Sequence, residues 1–370
     1  MSALAAHLRD LIAQEGPLTL ERFMGLALGH PTLGYYITRD PFGVRGDFTT
    51  APEISQMFGE LIGLWAAETW VAMGAPQHLH LVELGPGRGT LMQDALRAAS
   101  VVPAFAQAIE VHLVETSPVL AKAQQVTLSG LNIPVFWHAS VETIPPGPTI
   151  IIANEFFDAL PVRHYVNQAG GWRERLVGLD ARSRFVFGLS RDAEESIKVN
   201  APEGAVVEIG AVGQRIMGAL AARLKAQGGA ALIIDYGYER TALGETLQAL
   251  QGHQFVDPLA EPGEADLTTH VDFAALARAA RAAGAQVHGP ITQGDFLTGL
   301  GIFDRARALS RRADLGQASQ IEAALARLVS DQTGIMVEGG VVDGMGSLFK
   351  ALCVTTPGMA TPAGFEHAQS

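Results

Sequence analysis

The sequence predicts an α/β fold: a doubly wound, mostly parallel sheet of seven strands, with N-terminal helices, a β-hairpin insertion and a helical insertion. Three observations predict it. Leu79 to Leu84 (LHLVEL) is a short apolar run of the kind buried on both faces of a parallel sheet. It runs straight into the glycine turn 85–89 (GPGRG) and then into a helical pattern through Leu91, Met92, Ala95 and Leu96. Two more apolar runs, Ile109 to Val114 and Pro148 to Ala153, follow at the spacing that intervening helices require.

The elements follow in order. Residues 2–15 and 19–29 read as amphipathic helices, Leu4, Leu8, Leu11 and Ile12 lining one face of the first. Residues 38–55 are polar, glycine-bearing and irregular, and a long loop in a compact chain is usually functional. Glu53 opens a helix of about 20 residues, with Thr50 as its cap. After the first two strands, Val135 to His138 is a third and Pro148 to Ala153 a fourth. Residues 162–208 alternate and carry turn signals, so they read as a hairpin insertion. A helix over 211–226 leads to the fifth strand, Ala230 to Ile234, which ends in Asp235-Tyr236-Gly237. Residues 238–270 read as loop, Asp272 to Ala283 as helix, and Gln286 to His288 as a strand. Residues 292–330 are helical, and Leu348 to Thr355 is the last strand of an antiparallel final pair. The boundaries expected are 1–75 for the N-terminal helices and loop, 76–161 for the first half of the core and 162–208 for the β insertion. They continue with 209–291 for the second half of the core, 292–345 for the helical insertion, 346–357 for the final strand and 358–370 for a tail.

The 370 residues suffice for one large domain with insertions or for two domains, and a hydrophobic content of 48% supplies a substantial core. A net charge of −12 argues against nucleic acid as the main partner, because phosphate binding wants clustered Lys and Arg. It leaves room for a basic partner. The single cysteine, Cys353, excludes an intrachain disulfide and a Cys-based zinc cluster. His78 and His80 form no metal-ligand pattern with nearby acids, so no metal is expected. No apolar stretch reaches transmembrane length, and the first residues have neither the signal nor the transit pattern. A cytoplasmic, bacterial location is the expectation. The oligomeric state is open, a dimer being one candidate.

The glycine turn carries the chemistry. Strand, glycine turn and helix place a nucleotide site at the carboxyl edge of a parallel sheet. A dinucleotide fingerprint would read G-x-G-x-x-G. Here Gly85, Gly87 and Gly89 are spaced G-x-G-x-G, and Glu83 lies two residues ahead. A carboxylate there repels a pyrophosphate but accepts hydrogen bonds from an ammonium group. The ligand that fits is a nucleoside carrying an amino acid, S-adenosylmethionine, and E-x-G-x-G resembles motif I of class I methyltransferases. Glu115, at the end of the second strand, is placed to accept ribose hydroxyls. Ser140 follows the third strand, where an adenine would lie. The fourth strand delivers Asn154, Glu155 and Asp158 to the rim. Asn154 is a candidate for the cofactor, and the carboxylates Glu155 and Asp158 for clamping a guanidinium through its N–H fork. Asp47, Thr50, Asp235 and His270 are candidates for the substrate wall.

Six stretches together resemble the MidA family. They are DPFGVRGDFTTAPEISQMFGELIG (40–63), ELGPGRGTLMQDALR (83–97), NEFFDALPVR (154–163), IDYGY (234–238), LTTHVDF (267–273) and MGSLFKAL (345–352). The resemblance implies a class I methyltransferase fold, S-adenosylmethionine as donor and dimethylation of a protein arginine. Mitochondrial members of that family assist assembly of respiratory complex I, and the implied target is its subunit of about 49 kDa or the bacterial counterpart. Two other readings stay beside it: an assembly factor that binds cofactor and partner without catalysis, and a nicotinamide-dependent oxidoreductase.

Overall fold

Apolar runs bounded by turn residues become strands here because helices cover both faces of the sheet they form. The computed structural model describes residues 2–41, 49–337 and 340–367. Its first part runs α1 (Ala3–Glu15), β1 (Leu18–Thr19), α2 (Leu20–Gly29), α3 (Tyr35–Thr38), α4 (Ala51–Ile54) and α5 (Gln56–Ala72). The core begins with β2 (Leu79–Leu84), α6 (Thr90–Ala99), α7 (Pro103–Ala108), β3 (Ile109–Val114), α8 (Pro118–Thr127), β4 (Val135–His138) and β5 (Thr149–Asn154). An insertion supplies β6 (Arg163–Gln168), β7 (Gly171–Leu179), β8 (Phe185–Ala193) and β9 (Val206–Ile209). The core resumes with α9 (Ala211–Gln227) and β10 (Gly229–Tyr238), followed by β11 (Gln248–Gln251), β12 (Gln254–Val256) and β13 (Asp266–Thr268). Next come β14 (Val271–Asp272), α10 (Phe273–Ala282) and β15 (Gln286–Thr292). The second insertion holds α11 (Gln293–Gly299), α12 (Ile302–Ser310), α13 (Leu315–Val329), β16 (Ile335–Val337) and β17 (Gly340–Val342), and β18 (Phe349–Thr355) closes the core.

The central sheet has the order β15-β18-β10-β5-β2-β3-β4, with β14 adding a short parallel pairing to the end of β10. β18 is antiparallel to both its neighbours, and the rest of the sheet is parallel. The direction of winding reverses between β2 and β5. Both strands therefore send their following loops apart and leave a crevice at their carboxyl ends, where doubly wound folds bind ligands.

Three apolar clusters build the interior. On one face of the sheet α5, α6 and the second insertion pack through Phe58, Trp65, Leu91, Phe296 and Leu328. On the other, α9 and α10 pack through Met217, Leu220, Phe273 and Leu276. The third cluster joins α1 and α2 to the first insertion and to β11 and β13, through Leu8, Phe23, Val177, Phe185 and Leu267.

Some expectations shift in the structure. The helix expected from Glu53 is two helices. Ser55 is extended, with φ −161°, and its side chain accepts the Met57 amide at 3.2 Å, so it caps α5. Thr50 precedes α4 but makes no side-chain cap bond. The insertion at 162–208 pairs β6, β7, β8 and β9 and recruits β1 along β7. Residues 238–270, expected as loop, hold the three-stranded sheet β12-β11-β13. Asp235-Tyr236-Gly237 lie within β10 rather than beyond it.

Candidate functional site

The glycine turn gets its shape from positive φ: +60° at Gly85, +52° at Gly87 and +83° at Gly89, conformations that a Cβ disfavours. The Gly85 amide donates to the Val114 carbonyl at 3.0 Å, and the Gly89 amide to the Pro86 carbonyl at 2.7 Å. The turn thus hangs from β3 and opens α6.

Glu83, Gly85, Gly87, Asn154, Glu155 and Thr50 line one crevice above it. Glu83 is buried, and its Oε2 has no hydrogen-bond partner. Burial pushes its carboxyl up to about 8. A buried carboxylate without a cation is electrostatically incomplete. An amino-acid ammonium entering the crevice completes it, so the residues present fit S-adenosylmethionine. Asn154 offers a second orphan, a buried Oδ1 without a partner.

Glu115 lies beside this crevice at the end of β3. Its Oε1 accepts the Ser117 amide at 2.7 Å and its Oε2 the Gln124 side chain at 3.0 Å. Burial raises its pKa, and those hydrogen bonds oppose the rise. A carboxylate has about four lone-pair sites, so ribose hydroxyls still find acceptors. Gln124 is fully buried, and the same amide nitrogen donates to the Gly87 carbonyl at 2.7 Å while its oxygen accepts from Trp137 at 2.9 Å. It fixes the distance between Glu115 and the turn. Ser140 opens the short 3-10 turn Val141–Thr143 after β4, and its carbonyl accepts the Thr143 hydroxyl at 2.8 Å. It does not line the crevice.

The N-terminal segment closes the near wall. Glu53 Oε1 accepts the Thr90 hydroxyl at 2.6 Å, and the Arg88 Nε donates to Asp40 at 2.8 Å. Glu53 was expected to open a helix, and the structure sets it on the crevice wall. Asp47 lies outside the described residues.

The acceptor rim follows β5. Glu155 has φ +50°, unusual for a residue with a Cβ and of the kind that collects at functional sites. Its amide donates to the Ile234 carbonyl at 2.9 Å, and its Oε1 accepts from the Ala51 amide at 3.0 Å and the Asn154 side chain at 3.1 Å. Burial, with Asp158 adding to it, pushes the Glu155 carboxyl up to about 7. Asp158 is raised to about 6 by burial, against a hydrogen bond from Tyr236, and its buried Oδ1 has no partner.

Two expected substrate residues take other parts. Asp235 is fully buried, not on the wall. Its Oδ2 accepts the amides of Phe156, Phe157 and Asp158 at 3.2, 2.9 and 3.2 Å, so it holds the loop that presents Glu155 and Asp158. His270 packs edge-on against the Tyr236 ring, with centroids 5.3 Å apart. Tyr36 donates to Asp266 at 2.8 Å, and burial, with Asp266 and Asp158 adding to it, raises the pKa of Tyr36. Tyr36, Asp266 and Gln124 escaped sequence reasoning, since each stands apart from the residues it serves, whereas Tyr236 falls within the stretch 234–238. The expectation of no metal-ligand pattern also changes: His80, Glu110 and His112 bring their ligand atoms within 4.8 Å of one another.

Comparison with known proteins agrees with this geometry. A family model described as S-adenosyl-L-methionine-dependent methyltransferase matches residues 61–291, more than half the chain. The protein arginine methyltransferase NDUFAF7 of Danio rerio is 40% identical over 335 residues, covering 83% of this chain and 78% of that one. Its human counterpart is 37% identical, covering 84% and 76%. A Burkholderia thailandensis protein crystallised with S-adenosylhomocysteine superposes with a TM-score of 0.84 at 29% identity, over 100% of this chain and 95% of that one. The sheet order and the acid ahead of the glycine turn thus belong to a class I methyltransferase, an enzyme whose methyl donor is S-adenosylmethionine. Within that class the chain belongs to the MidA family.

Proposed function

We propose that the enzyme dimethylates an arginine of a protein partner, a respiratory complex I subunit of the 49 kDa type, and so supports assembly of that complex. The observation that carries the arginine reading is the acidic rim. Asp158 is buried and Glu155 half-buried within electrostatic reach of it, both carboxyls are raised by desolvation, and the Asp158 Oδ1 is unpartnered. A guanidinium supplies the missing cation and the planar donor fork that two carboxylates accept. Its nitrogen would then be held toward the crevice, so positioning supplies much of the rate. The relatives are arginine methyltransferases by name, which favours the same substrate class. The complex I partner rests on family resemblance. A cytoplasmic location is part of the proposal, and fractionation of the producing cells tests it.

Asp158→Asn separates this reading from cofactor binding alone, because it keeps the shape and removes the charge. Methyl transfer to the partner, followed by mass spectrometry, should fall by about 100-fold or more, as expected when a group aimed at the reacting charge is lost. Calorimetric affinity for S-adenosylhomocysteine should stay within about twofold of the parent. Full activity in this variant would remove the acceptor assignment. A tight partner complex that never acquires a methyl group would favour the non-catalytic assembly factor.

A further inference from the structure

A second polar cluster lies on the sheet face away from the glycine turn and takes no part in the methyltransferase site. His80 is the second residue of β2, Glu110 the second of β3 and His112 the fourth, and His138 ends β4. Strand register pairs His80 with Glu110 and Val114 with His138. Alternation along the strands then puts all four side chains on one face.

Hydrogen bonding fixes the tautomers from one end. The Thr143 hydroxyl donates to the Ser140 carbonyl at 2.8 Å, so it accepts from His138 Nδ1 at 3.0 Å. His138 Nε2 is then an acceptor and takes the proton of His112 Nδ1 at 2.8 Å. His112 is left with a bare Nε2, which points at His80 Nδ1 from 2.9 Å. In the empty site His80 Nδ1 donates to that bare nitrogen; with its proton moved to Nε2, which faces the Pro146 carbonyl at 3.4 Å, two lone pairs converge and a cation can take the proton's place between them.

The third partner is already in place. Glu110 Oε2 is 3.9 Å from His80 Nδ1 and 3.9 Å from His112 Nε2. The point equidistant from the three atoms, in their plane, lies about 2.1 Å from each, the usual length of a zinc bond to imidazole or carboxylate. His138 and Thr143 continue from the second nitrogen of His112, the arrangement that holds a ligating imidazole in orientation and tautomer.

We propose that His80, Glu110 and His112 form a divalent transition-metal site of the zinc class, with water completing the coordination. Two imidazoles and one carboxylate are the donors such an ion prefers. The site joins β2 to β3. His80 stands four residues before the end of β2, about 13 Å of strand from the glycine turn. The ion is therefore a structural staple, distinct from the methyl-transfer chemistry.

Chelator-stripped full-length protein titrated with zinc chloride should bind one equivalent by calorimetry. Cobalt chloride in its place should give visible bands of low-coordinate intensity, and zinc should raise the melting temperature. Glu110→Gln and His80→Gln alter partly exposed side chains, so both variants should fold and weaken the metal by about tenfold or more. His112→Asn changes a buried ring and serves only as a supplement. Zinc affinity equal in parent and both exposed-residue variants would overturn the site, and so would the absence of any binding at micromolar zinc. In either case the imidazole chain is a plain hydrogen-bonded ladder.

Discussion

At the scale of single residues, Glu83 makes the sharpest prediction. Its carboxyl lies near 4.5 when solvated and near 8 in the fold. A folded-state pKa above the unfolded one means that stability is fully present below about pH 4.5 and is lost as pH rises through about 8. Glu83→Gln keeps the neutral shape at every pH. Parent and variant should therefore melt at similar temperatures at about pH 5, and the variant should be the more stable at about pH 9, by on the order of 4 kcal/mol. The same variant should lose most of its affinity for S-adenosylhomocysteine, whose ammonium has no carboxylate left to meet. Melting curves across that range and calorimetry check both halves, and equal pH sensitivity in the two proteins would refute the assignment. The placement of Glu83, the three glycines and Glu115 was legible in the sequence because it depends on neighbours within a few residues. Gln124, Tyr36 and Asp266 were not, since Gln124 joins three separate segments and Tyr36 meets Asp266 across 230 positions.

At the scale of elements, the glycine turn needs α6 held close beneath α5, and two glycines allow it. A Cβ on Gly63 would sit 2.2 Å from the Ala95 carbonyl oxygen, and one on Gly59 2.7 Å from the Asp94 Cβ. Gly63→Ala must push the helices apart against backbone, a change on the order of 1–3 kcal/mol. We expect a lower chemical-denaturation midpoint, together with weaker S-adenosylhomocysteine binding because α6 starts directly after Gly89. Unchanged stability would mean that the helices do not approach this closely. The helices, the core strands and their order were legible because apolar periodicity and turn glycines act locally. The β11–β13 sheet was not, because its three short strands have too few residues to show a period. Asp235 was misplaced for a related reason. It ends an apolar run, which suggests an exposed rim, yet β10 continues past it beside β18 and buries it.

At the scale of the whole molecule, the acceptor rim sits on a seam. Asp158 comes from the loop after β5 and Tyr236 from β10 of the central sheet, while Tyr36 and Asp266 come from elements flanking the third apolar cluster. The second insertion is fastened to the core by Glu60, which is buried and accepts both Arg305 nitrogens at 2.7 and 2.9 Å. On the proposed reading, substrate recognition draws on surfaces of several elements, and the net charge of −12 biases them toward a basic partner. That bias has a measurable signature. Surface attraction decays over about 10 Å at 0.1 M salt and about 3 Å at 1 M, whereas the Glu83 contact is shielded from salt by burial. Between about 50 and 500 mM sodium chloride the KM for the protein partner should rise roughly tenfold, while the KM for S-adenosylmethionine changes by less than about twofold. Steady-state kinetics at three salt concentrations separate the two constants. A parallel rise in both would place the charge effect in the cofactor crevice, and flat values for both would mean that the acidic surface does not meet the substrate protein.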